Sequence, residues 1–150
     1  MSEDRDALLA HFRTMRADFL DAIDGLTDGQ MTERTHNGWS VKDHMAHITF
    51  WDEVRTSEVD RISAGLESAW RLTSEEDEAL NDMVTRARWD HSLAQVRREF
   101  DESKARFLDA LANATPEGLD ASRYGEAGLV SHHEAEHARW IREWREERGY

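Results

Sequence analysis

The sequence predicts an all-α fold, a four-helix bundle with one short extra helix in a long connection, built as a single domain over residues 1–150. Three observations predict it. Apolar residues recur in steps of three and four along most of the chain, and no stretch alternates with a period of two. One proline, Pro116, and eight glycines in 150 residues favour long helices over tight turns. Side chains able to cap a helix stand ahead of the periodic stretches.

The first helix is expected from about Glu3 to Leu26, with Leu8, Phe12, Met15, Phe19, Ile23 and Leu26 on one stripe and Ser2 or Asp4 as cap. A polar loop, TDGQMTERTHNG, follows. The second helix should begin at Ser40, with Asp43 three residues on as in a capping box, and run on Val41, Met45, Ile48, Trp51, Val54 and Ile62 to a stop near Gly65. TSEEDEAL reads as the start of the short helix, capped by Thr73 or Ser74 and ending near Arg88, because its acids suit the positive end of the helix dipole. Asp90 or Ser92 opens the next helix, with Gln95 completing a Ser-x-x-Gln box and Leu93, Val96, Phe100, Phe107 and Leu111 as its stripe. Thr115-Pro116 marks a break, with the proline at a possible first helical turn. The last helix is expected from about Leu129 to Glu147.

Composition removes several classes of function. Cysteine is absent, so the chain supplies no disulfide, no thiolate ligand and no cysteine nucleophile, and a metal site must use histidine and carboxylate. The net charge of −13 disfavours the phosphate backbone of a nucleic acid as partner. No run approaches the roughly 18 apolar residues of a membrane span. The N-terminus has no basic segment ahead of an apolar one, so a signal peptide is not expected and the cytoplasm is.

The chemistry concentrates in SHHEAEHARWIREWRE, residues 131–146. On a wheel of about 100° per residue, His133 and His137 share an inward arc with Leu129, Val130, Trp140, Ile141 and Trp144, while Glu134 and Ala138 fall outside it and His132 lies off it. Two histidines at i and i+4 project from one face toward one point, a recurring way to supply two metal ligands. His47 on the second helix can supply a third, with His44 one turn earlier as runner-up. Three histidines leave a coordination position open, as catalytic zinc sites do. His11, His36 and His91 read as structural or incidental. Trp51 and Trp140 flank the histidines and can wall a pocket with His44, whereas Trp89 and Trp144 read as core.

NGWSVKDHMAHITFWDEV resembles the W-[ST]-V-K-D-x-x-x-H segment of the DinB-like superfamily, and HEAEH resembles that superfamily's H-x-x-x-H pair. The segment from Ala79 to Leu111 is similar to the ClbS/DfsB branch. The resemblance implies an up-down-down-up bundle and a divalent ion held by His47, His133 and His137, with zinc or nickel the first expectation and iron or copper the next. It also implies an enzyme using a low-molecular-weight thiol on a small-molecule substrate, or a hydrolase of electrophiles. A stress-response or binding module with a structural metal, and a metal-free self-resistance hydrolase of the ClbS type, are the alternatives. ClbS-type proteins often lack the first histidine of the closing pair, which this chain keeps as His133, and His44 stands where an aliphatic residue is usual, so that a shifted or fourth ligand is open. The arginine-rich and tryptophan-rich surfaces leave a homodimer open.

Overall fold

A computed structural model describes residues 2–35 and 37–150. Among these residues, six α-helices and one 3-10 turn make up the regular structure: α1 (Arg5–Ile23), α2 (Asp28–Thr32), α3 (Val41–Ser63), α4 (Ser74–Ala87), α5 (Leu93–Ala112), the turn at Ala121–Arg123, and α6 (His133–Arg148). Among the described residues there is no strand, only an isolated bridge between Arg34 and Ser40. No described helix is long and apolar enough to cross a membrane.

The helix starts follow capping chemistry. Asp4 caps α1 through the amide of Ala7. Ser40 and Asp43 form the complete reciprocal box at α3. Thr73 caps α4 and Ser92 caps α5. Gln95 does not close the box at Ser92, because its amide turns forward to Glu99, 3.0 Å away. The polar loop after α1 holds a helix the periodicity did not reveal. Thr27 and Gln30 box the five-residue α2, which sinks Met31 into the core. Pro116 opens a turn rather than a helix, with the amide of Leu119 bonded back to Thr115 and Pro116.

The four long helices pack around two apolar clusters, and these fix the helix directions. One cluster joins Leu8, Phe12 and Met15 to Val59, Ile62, Phe107 and Leu111, with Ala135 against it. The other joins Phe19 and Ala22 to Val41, Met45, Ile48, Val96, Phe100, Ile141 and Trp144. Helices α1 and α6 therefore run from the first cluster to the second, and α3 and α5 run back. The bundle is up-down-down-up, and α4 lies in the long connection between the two parallel helices.

Between the clusters lies a charged layer to which all four long helices contribute. Arg16 of α1 contacts Glu134 of α6 and lies 3.3 Å from Asp52 of α3. Lys104 of α5 lies 3.1 Å from both carboxylates. Arg55 lies 3.9 Å from Asp52. Burying Glu134 turns α6. Its buried residues are Glu134, His137, Ala138, Ile141 and Trp144, a stripe rotated by about 60° from the apolar arc. Glu134 and Ala138 thus face inward, and Trp140, 37% exposed, moves to the edge. The helix also starts at His133, four residues later than expected. Gly128 adopts a positive φ of 65°, and residues 129–132 are non-helical, bent at Leu129 and Val130, with Val130 exposed.

Candidate metal centre

Helix α3 is buried on nearly all sides, since α2 and α4 cover flanks that a simple bundle leaves to water. Both His44 and His47 are therefore interior, 1% and 3% exposed. Opposite them, α6 presents buried His137 and, one turn earlier and half-buried, His133. His47 Nε2 lies 2.8 Å from His133 Nε2, which lies 2.9 Å from His137 Nε2. Among the described residues, His47, His133 and His137 form the group whose ligand atoms converge within 4.8 Å, a geometry that can hold a metal ion.

The nitrogens fit a cation better than they fit one another. A ring nitrogen carries either a proton or a lone pair, so His133 Nε2 meets both neighbours with a single proton or a single lone pair. A divalent ion satisfies all three at once, at about 2.0–2.1 Å from each. Burial first, and repulsion among the rings second, pushes the His47 pKa down to about 2 and places His137 well below its ordinary value. Burial, then the charge of Arg55, lowers His133 to about 3. All three rings are neutral near pH 7, the form in which imidazole binds metal.

His44 stands behind this group. Its Nδ1 lies 2.6 Å from Nδ1 of His137, the nitrogen that faces away from the cluster. If His137 Nε2 keeps its lone pair, its Nδ1–H donates to His44, and His44 Nε2–H then points to Thr35 Oγ1 at 3.3 Å. Thr35 Oγ1 donates onward to the Trp39 carbonyl at 2.7 Å. This chain of donors sets one tautomer for each ring, the arrangement by which ligating histidines are commonly oriented. His47 Nδ1 is buried without a hydrogen-bond partner.

One side of the cluster is closed by aromatic rings. Trp39 lies 4.9 Å from the His47 ring and is parallel to His137 at 6.4 Å, and Trp140 packs edge-on against His137 at 4.9 Å. The other side opens through His133 into a cavity of about 440 Å³ lined by Trp51, Arg55, Asp77, Ser131 and Glu126 among others. Trp51 anchors the wall by donating its indole N–H to Asn81 at 2.8 Å. The far wall, residues 126–128, is held where Gly125 crosses the chain at Trp70, since a Cβ there would lie 2.1 Å from the Trp70 carbonyl.

The expected site residues thus divide. His47, His133 and His137 converge, and Trp51 lines the cavity that reaches His133. Trp140 lines a separate hollow of about 250 Å³ with Thr35, Asn37 and Glu143, and His44 lines neither. His132 is exposed and stacks edge-on with His11, which binds the Ser131 carbonyl at 2.8 Å. His91 lies 3.5 Å from Glu99, and His36 falls outside the described residues. Apolar periodicity missed Trp39, which lies in a loop, and the buried charges Arg55 and Glu134. The only signal for Trp39 was its place at the head of the W-S-V-K-D segment.

The family model of the DinB superfamily matches residues 11–141. Comparison with curated proteins finds no match. The crystal structure of an uncharacterised protein from Escherichia coli UTI89 superposes with a TM-score of 0.76 at 12% identity, covering 97% of this chain and 94% of that one, a likeness of fold. The chain belongs to the DinB superfamily.

Proposed function

We propose that this DinB-superfamily bundle is a metal-dependent enzyme in which Nε2 of His47, His133 and His137 holds one divalent ion, zinc or nickel before iron or copper. The observation that carries the reading is the convergence of three neutral ring nitrogens, one of them on His133, which lines a cavity. With three protein ligands, the ion would keep an open position and would lower the pKa of a water or thiol bound there. The chain's own residues do the rest. His44 orients His137 through the Nδ1 contact. Trp39 and Trp140 shield the cluster from solvent on one side. Trp51, Arg55 and Ser131 shape the approach on the other. The substrate is an electrophilic small molecule, attacked by water or by a low-molecular-weight thiol, since the chain has no cysteine of its own. All three ligands come from one chain, so the reaction needs no second copy, and the cytoplasm is its expected setting.

Retention of His133 supports this reading over a metal-free hydrolase of the ClbS type, which often lacks that histidine. Metal analysis of protein purified without a nickel column should find about one divalent ion per chain. The loaded protein is then screened with small thiols against epoxides, maleylpyruvate-like acids and strained rings. Turnover lost on chelation and in His47→Ala supports the enzyme. Metal without turnover of any of these leaves a binding module, and no metal overturns the reading.

A further inference from the structure

The buried charged layer does not balance. It holds three cations, Arg16, Arg55 and Lys104, and two carboxylates, Asp52 and Glu134. Glu58, also buried, is engaged elsewhere by Ser68 and the Ala69 amide. Burial pushes the Asp52 carboxyl pKa up, and its protonation would only enlarge the cationic excess. A buried unpaired charge is costly, so the excess calls for an anion.

Arg55 is where the excess meets open space. Arg16 and Lys104 are saturated by carboxylates on neighbouring helices, whereas Arg55 reaches only Asp52, and at a distance outside hydrogen-bond range. Its Nε donates to the Ala127 carbonyl at 3.0 Å and its Nη2 to Ser131 Oγ at 3.1 Å. Those two bonds hold the guanidinium in the wall of the cavity that His133 also lines, with Nη1 toward Asp52 at 3.9 Å and, among the described residues, without a hydrogen bond. Asp77, Glu126 and Glu136 line the same cavity, Asp77 half-buried and the two glutamates exposed. Partial burial, then Glu126, then Glu78 raises the Asp77 pKa, as expected of carboxylates crowded together without a cation. The cavity is therefore polarised along its depth, cationic inside and anionic at the mouth.

We infer that this cavity binds a small zwitterion, with its carboxylate or other anionic group on Arg55 and Ser131 and its ammonium group between Asp77 and Glu126 at the mouth. The ligand class is an amino acid or a short amino-acid derivative. A simple organic anion would meet the acidic mouth, and a simple amine would meet Arg55. A zwitterion satisfies both ends and brings its anionic end beside His133. The inference deepens the proposed function and rests on it only in taking this cavity as the substrate's path.

The indole N–H resonance of Trp51, assigned with Trp51→Phe, reports occupancy because Trp51 forms the cavity wall. Zinc-loaded protein is titrated with glycine, β-alanine and γ-aminobutyrate into the tens of millimolar, with n-butyrate and n-butylamine as single-charge controls, and zinc content is measured on the same samples. At least one amino acid should bind about tenfold more tightly than either control, the effect of one charged hydrogen bond. Arg55→Gln should remove that advantage and weaken butyrate while leaving butylamine unchanged. Asp77→Asn with Glu126→Gln, both away from the core, should do the reverse and keeps the test intact if Arg55→Gln does not fold. Stoichiometric zinc with no Trp51 response to any amino acid overturns this inference alone. Amino-acid binding without zinc overturns the metal reading alone. Butyrate or butylamine matching every amino acid also overturns the zwitterion.

Discussion

Two buried polar regions sit side by side in this bundle, and they are built on opposite plans. The charged layer of Arg16, Asp52, Lys104 and Glu134 is paired across helices, each cation within 3.3 Å of a carboxylate on another helix, although Glu134 Oε2 accepts no hydrogen bond. The histidine cluster is not closed. Three ring nitrogens point at one another, and His47 Nδ1 has no partner. Buried charges paired across helices hold those helices in register, whereas ring nitrogens that converge with too few protons to satisfy one another suit a cation. Arg55 belongs to both regions, which is why the cavity begins there.

The contrast can be broken most sharply at the histidines. His137→Ala should abolish stoichiometric metal binding, measured by elemental analysis after dialysis, because two imidazoles cannot replace a three-ligand site. The substitution should leave the charged layer and the fold intact, as judged by circular dichroism. Metal retained at full stoichiometry would show that the cluster is not the site.

Acid should separate the two regions next. His44, His47 and His137 are buried, and burial places each pKa below the value of the unfolded chain, with His44 lowered to about 4. As pH falls, the unfolded chain takes up protons first, so the stability present above about pH 6.5 is lost on the way down to the folded values. Between pH 7 and 5 each ring accounts for about 2 kcal/mol, or at most about 6 kcal/mol for the three in metal-free protein. Urea midpoints across that range test this, and a flat profile would contradict the burial of neutral rings.

The charged layer should answer to single substitutions. Glu134→Ala leaves Arg16 and Lys104 each short of a carboxylate and should cost about 3–5 kcal/mol by chemical denaturation. Glu134 is not among the converging ligand groups, so whatever folded protein remains should still take up metal. A loss below about 1 kcal/mol would mean that the layer is exposed to water.

The smallest effect belongs to the residue behind the cluster. His44→Phe removes the acceptor for His137 Nδ1–H and should weaken metal binding about 10- to 100-fold without abolishing it. His44→Gln, which restores an acceptor, should recover part of that loss. Complete loss in His44→Phe would make His44 a ligand, and no loss would make it packing.

The sequence alone determined the four long helices, because unbroken apolar stripes can be buried only against other helices, and capping side chains read locally at Asp4, Ser40, Thr73 and Ser92. It also determined that His133 and His137 lie one turn apart, since that spacing is a property of any helix. Tertiary structure decided what lies between helices. Glu134 looks like a surface residue in any periodic reading, and only Arg16 and Lys104 arriving from α1 and α5 make its burial affordable and rotate α6. That rotation sets His137 deep, His133 at the cavity edge and Trp140 outward. Apolar periodicity measures transfer from water, one helix at a time. Paired charge, shared protons and convergent ring nitrogens exist only after distant segments have met.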